Sequence, residues 1–236
     1  RIDPALLKGK GIDPNMEFDI FKKTPEDLWH EQGMRFIERC RDNLELCPEY
    51  LKILVAMGLR RYTLKRSWIG IHMMHETDDP ALWGLPEEDR NRENPKELDL
   101  PPGLVVPCFD KAKLHRIKIV SFHHIYPPPD FPSLTFGDIR KIGKDIFIEG
   151  SGEMAMVHAA DDGKPFVRVA REFEAMLLHQ ELGGFCAVAA MKGPEVKPDK
   201  ETEKFLKTSP QFLIVQYPGS EEPADINIDM WKKIYP

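Results

Sequence analysis

Apolar residues recur at two different spacings along this chain, and the change of spacing divides it into parts. Trp29, Phe36 and Ile37 fall at helical intervals after Thr24 and Pro25, a capping residue followed by one suited to the first helical position. This predicts a helix from Thr24 to about Asn43. A second helix is predicted from about Pro48 to Met57, stopped by Gly58, and a further short one within Tyr62 to Ile71. Residues 1–15 are rich in Gly, Lys and Pro with little periodicity, and read as a linker or docked tail. Glu76 to Pro102 is polar and proline-rich, hence loop, with Trp83 and Leu85 able to fold it over the core.

From Gly103 the period becomes two. Leu104 to Phe109, Leu114 to Phe122 and Asp145 to Glu149 read as strands, the first two joined by a hairpin connection at Asp110 to Lys113. Pro127, Pro128 and Pro129 mark an exposed loop, and Met154 to Ala159 a further strand before the turn at Asp161 to Lys164. The last part alternates: strands near 166–170, 185–190 and 212–216, helices near 171–182 and 199–208. That alternation implies a parallel sheet with right-handed crossovers. The predicted fold is α/β, α+β overall, in four segments. A tail (1–23) precedes a helical subdomain (24–75), a loop with a mixed β subdomain (76–164) and a parallel βαβαβ unit (165–236).

With 42% hydrophobic and 31% charged residues over 236 positions, the chain can bury a core of one or two domains. No run approaches the roughly 20 apolar residues of a membrane span, and no apolar signal region follows Arg1, so a cytoplasmic protein is expected. Cys40, Cys47, Cys108 and Cys186 form no C-x-x-C pair and supply no zinc ribbon.

The net charge of −6 argues against a general nucleic-acid binder, yet the charge is unevenly spread. Between Tyr50 and His75 there is no acidic residue, while Lys52, Arg60, Arg61, Lys65 and Arg66 lie among Tyr62 and Trp68. A second basic stretch holds Lys111, Lys113, Arg116 and Lys118, with His115, His123 and His124. Together they describe a groove for a phosphate backbone, with Tyr62 and Trp68 as faces on which unpaired bases stack. The competing reading is a solvated helix face with core aromatics. His123 and His124 are adjacent on a strand and face opposite sides, which suits surface histidines better than a shared metal. No phosphate-binding loop, nucleophile elbow or H-E-x-x-H motif is present.

The run from Phe166 to Gly183, a short apolar strand turning into an amphipathic helix, resembles the Toprim element of bacterial and phage DNA primases. The resemblance extends upstream. Trp29 with Phe36 to Cys40 resembles the helix before the primase polymerase region. Leu54 to Thr63, Trp68 to Gly70, Trp83 to Leu85, Leu100 to Pro107, Leu114 to Ile119 and Ile148 to Ser151 then follow in the family's order. The match covers roughly residues 24 to 236. It implies a Toprim fold, a role in DNA replication, and partners such as single-stranded DNA or a helicase. Primases of this class often carry a zinc ribbon nearer the N-terminus.

The family's chemistry looks erased. Its catalytic glutamate stands at the end of the strand where this chain has Ala170, and its two metal-binding aspartates where this chain has Tyr217 and Gly219, flanking Pro218. A methyl group, a phenol and a bare backbone cannot give Mg²⁺ its hard oxygen ligands. The resemblance therefore implies a degenerate Toprim protein with no catalytic residues and no cofactor. Glu172 and Glu174 match acidic positions the family keeps after its glutamate and are the residual candidates, although first-turn carboxylates also complement a helix dipole. Nucleic acid is expected along Arg60, Arg61, Lys65, Arg66, Arg116 and Lys118.

Three functions follow. The first is an inactive primase-like protein that binds DNA or a replication partner. The second is a working nucleotidyl transferase that uses Mg²⁺ on displaced carboxylates such as Glu149, Glu153, Glu172 or Glu174. The third is an accessory factor of a mobile element that binds only protein.

Overall fold

The structure, a computed structural model, describes residues 23–86, 97–110, 113–122, 143–152, 156–158, 163–169, 171–190, 198 and 200–215. Helix α1 spans Pro25–Leu46. It starts at a capping box, in which the Asp27 N–H donates to Thr24 Oγ1 at 3.1 Å and the Thr24 N–H to Asp27 Oδ2 at 3.3 Å. Trp29, Gly33, Phe36, Ile37, Cys40 and Leu44 repeat every three or four residues and form its buried stripe. Helices α2 (Pro48–Ala56) and α3 (Arg61–Arg66) follow at the expected places.

Strand β1 (Gly70–His72) crosses α1 so closely that a Cβ on Gly70 would lie 2.4 Å from the Cys40 carbonyl carbon. Only glycine admits that backbone contact. The segment after β1 differs from the loop expected of it. Strands β2 (Glu76–Asp78) and β3 (Leu98–Leu100) pair antiparallel, and a 3₁₀ turn at Pro80–Trp83 drives Trp83 into the core at 0% exposure. Its indole N–H donates to Asp78 Oδ2 at 2.9 Å. Tertiary burial of one large aromatic thus orders Glu76 to Trp83, where the sequence period alone predicts loop.

Strands β4 (Gly103–Asp110), β5 (Lys113–Phe122) and β6 (Gly143–Phe147) complete a four-stranded sheet in the order β1-β4-β5-β6, antiparallel throughout. Both its faces are covered. Val105, Leu114, Ile117 and Ile119 pack with Trp29, Phe36 and Trp83 beneath α1. Leu104, Val106, Cys108 and Val120 pack on the other side with α2, α3 and the second sheet.

That second sheet contains β7 (Met156–His158), β8 (Phe166–Val169), β9 (Ala187–Ala190) and β10 (Phe212–Ile214) in the order β10-β8-β9-β7. Strand β8 runs parallel to both β9 and β10, through helices α4 (Glu172–Leu182) and α5 (Lys200–Thr208). The expected strands near 166–170 and 212–216 therefore share one sheet over their described residues, with the Val215 N–H donating to the Arg168 carbonyl at 3.0 Å. Strand β7 pairs antiparallel on the far edge, so the sheet is parallel over three strands and mixed over four. All eight side chains of β8 and β9 are buried, as a strand covered on both faces requires. Ala170, Tyr217 and Gly219 lie outside the described residues, as do His123, His124, Glu153 and the proline loop.

Candidate nucleic-acid interface

Helix α3 divides its six residues between two environments. Thr63 and Leu64 are buried, and Arg61, Tyr62, Lys65 and Arg66 are exposed, Tyr62 to 73%. The side chains of Arg61, Tyr62, Lys65 and Arg66 have no hydrogen bond or ion pair among the described residues. A six-residue helix has little intrinsic stability. Here Gln180 of α4 holds it: its Oε1 accepts from the Arg60 N–H and from Thr63 Oγ1, both at 2.7 Å, and its Nε2 donates to the Gly58 carbonyl at 3.0 Å. Beside it the Arg60 guanidinium donates to both oxygens of Glu181 at 3.0 Å. Nothing in the sequence pattern marked Gln180 or Glu181, since a polar pair near a helix end is the ordinary composition of an exposed turn.

Between α3 and α4 lies a cavity of about 530 Å³, lined among others by Arg60, Tyr62, Arg66, Phe109, Met176 and His179. Burial, with the nearby Arg66 charge, holds His179 below the ordinary imidazole value and so favours its neutral form.

Trp68 is not the open stacking face expected of it. It is half-buried, the Arg41 guanidinium lies 4.3 Å above its ring, and Phe109 packs at 6.0 Å. Arg116 and Lys118 also depart from the expected surface path, with exposures of 1% and 4%. Alternation along β5 sends Ile117 and Ile119 toward α1 and these two cations toward the second sheet. There Arg116 Nη2 lies 3.2 Å from Glu172 Oε1, and Lys118 Nζ lies 2.7 Å from Glu172 Oε2 and 2.8 Å from Asp145 Oδ2.

Glu172 itself is 3% exposed. Burial alone would raise its carboxyl, but the charges of Lys118 and Arg116, with the Lys118 hydrogen bond, outweigh it and hold Glu172 below the usual carboxylate range. Burial likewise opposes the Lys118 charge, while Glu172 and Asp145 together lift its ammonium above the ordinary lysine value. Asp145 was not singled out by any sequence signal, because its strand joins the cluster only through sheet pairing at Val120.

The resemblance to primases implies a divalent cation, and the described residues do not fit one. Both Glu172 oxygens are engaged by cations. One oxygen of Glu174, Oε2, accepts the Arg171 N–H at 3.1 Å at the helix start. Among the described residues no three His, Cys, Asp or Glu side chains gather as a metal set. The same residues contain no helix long and apolar enough to cross a membrane.

No family model matches the chain, and no curated protein is significantly similar to it in sequence. Solved structures are similar in fold. The zinc-binding and RNA polymerase domains of the Aquifex aeolicus primase superpose with a TM-score of 0.53 at 13% identity, over 84% of this chain and 50% of that one. The DnaG catalytic core superposes with a TM-score of 0.50 at 11% identity, over 81% of this chain and 61% of that one. The chain therefore spans between half and two thirds of the length of these structures. At such identities the likeness is one of architecture, and the described residues have the fold of a primase catalytic core.

Proposed function

We propose that this chain is a primase-like, replication-related protein that has lost primer synthesis and binds single-stranded DNA through α3. The observation that carries the reading is the unpartnered set Arg61, Lys65 and Arg66 around an exposed Tyr62 on one short helix. Cations without carboxylate partners are free to neutralise phosphates, and an exposed phenol offers a face to a base. Loss of catalysis is supported by Ala170, Tyr217 and Gly219 at the family's acidic positions and by the engagement of Glu172 with Arg116 and Lys118. The degenerate Toprim reading rests on the same residues. The cytoplasm is the compartment in which such a protein would act, and a helicase or other replication protein is the kind of partner it would join.

The test has two arms. Fluorescence anisotropy of a labelled single-stranded oligonucleotide at low salt is expected to show weak, saturable binding. A primer-synthesis assay on single-stranded DNA with nucleotides and Mg²⁺ is expected to show no product. Template-dependent product that disappears in Glu172→Gln would overturn the loss of catalysis. Absence of binding by the parent chain would favour the protein-interaction reading.

A further inference from the structure

The cavity between α3 and α4 is lined on one side by Met176, His179 and Gln180 of α4 and by Gly183 and Gly184 just beyond it. Glu172, the residual candidate of the primase resemblance, stands in the first turn of that helix instead. At 1.5 Å per residue, Arg171 and His179 are about 12 Å apart along the helix axis.

Its size and lining restrict the ligand. A volume of about 530 Å³ lies within the range of small-molecule sites, and its lining contains two arginines and no carboxylate. That balance disfavours a cation and favours an anion. Arg60 is held in place by Glu181, and Arg66 has no ion partner among the described residues. Two guanidiniums of this kind suit phosphate oxygens, which accept their paired N–H donors. Phe109, Met176 and Tyr62 supply the apolar and aromatic part of the wall, which a simple inorganic anion would leave unused. A neutral His179 can accept a hydrogen bond from a base or sugar without adding a charge that must be matched.

We propose that this cavity takes one nucleoside 5′-phosphate unit, its phosphate on Arg66 and Arg60 and its base between Tyr62 and Phe109. The unit comes either from a free mononucleotide or from one nucleotide of a strand lying on α3, and only the second source rests on the function proposed above.

Calorimetric titration of the full chain with thymidine 5′-monophosphate and with oligothymidylate separates the outcomes. Arg66→Ala removes a cavity cation, and Lys65→Ala removes a neighbouring cation outside the cavity; urea midpoints establish that both variants fold. The expected result is millimolar mononucleotide binding that falls about tenfold in Arg66→Ala and is unchanged in Lys65→Ala. Tighter binding of the oligomer, weakened by both substitutions, identifies a strand nucleotide as the occupant. Equal affinity for oligomer and mononucleotide identifies a free nucleotide and argues against a strand on α3. Oligomer binding without mononucleotide binding, with the two variants equally impaired, would overturn the cavity site and leave the α3 surface standing. Binding of neither probe would overturn both.

Discussion

The Lys118 ammonium lies 2.7 Å from Glu172 Oε2, joining β5 of the antiparallel sheet to the first turn of α4 over the parallel one. Asp145 of β6 and Arg116 complete the cluster, so one buried carboxylate answers two buried cations. Such a cluster is costly to desolvate and far more costly to break, because removing Glu172 takes from two buried cations the carboxylate they share. Glu172→Ala is therefore expected to destabilise the chain by about 3–5 kcal/mol, read from urea unfolding. A loss within experimental error would show that the cluster is not closed to solvent as described.

Acid and alkali should act on this cluster in opposite senses. Glu172 is held below its ordinary value of 4.5, so its contribution is complete above that pH and is lost as pH falls through the lowered folded value. Lys118 is held above its ordinary value of 10.5, so its contribution is complete below that pH and is lost as pH rises through the raised folded value. The stability difference between the parent chain and Glu172→Gln should stay constant from neutrality down to about 4.5 and shrink below it. A difference that grows in acid would contradict the lowered carboxyl.

Binding of single-stranded DNA should respond to the unpartnered cations of α3 and to salt. Each phosphate neutralised on a single strand contributes a slope of about −0.7 to log affinity against log salt. Three contacts from Arg61, Lys65 and Arg66 thus predict a slope near −2, the product of those two values. Reversing all three charges to Glu is expected to abolish anisotropy change at low salt. Arg116 is unsuitable for such a test, since its substitution would strike the buried cluster instead.

The crossing of α1 and β1 makes Gly70 intolerant of any side chain. A Cβ there would meet the backbone of Cys40 and Arg41 at 2.4 and 2.5 Å, and main chain cannot rotate away as a side chain can. Gly70→Ala is expected to lower the unfolding free energy by about 1–3 kcal/mol, the usual cost of forcing atoms into a packed core. Unaltered thermal unfolding would mean that α1 shifts freely on the sheet.

The local elements were largely legible from the residues alone, because each depends on neighbours close in sequence. The cap at Thr24 and Pro25, the stop at Gly58 and the βα alternation after Phe166 are short-range signals, and they correspond to α1, α2 and the parallel β8-β9-β10 unit. The cations of α3 were also legible, as an acid-free stretch with an aromatic among them.

Tertiary structure alone decided which basic residues face water. The alternation of Arg116, Ile117, Lys118 and Ile119 reads as a half-exposed strand, one face apolar and one basic. Residues more than fifty positions later supply a second layer and a carboxylate, and the basic face becomes an interior ion cluster. The same holds for the pairing of β2 with β3 and for Gln180, which fixes α3 from across the chain, whereas the burial of Trp83 was expected of its segment. Periodicity tells which side chains share a face. What covers that face depends on contacts between distant segments, and in this chain those contacts separate a surface that can meet phosphate from a pair of cations already neutralised inside.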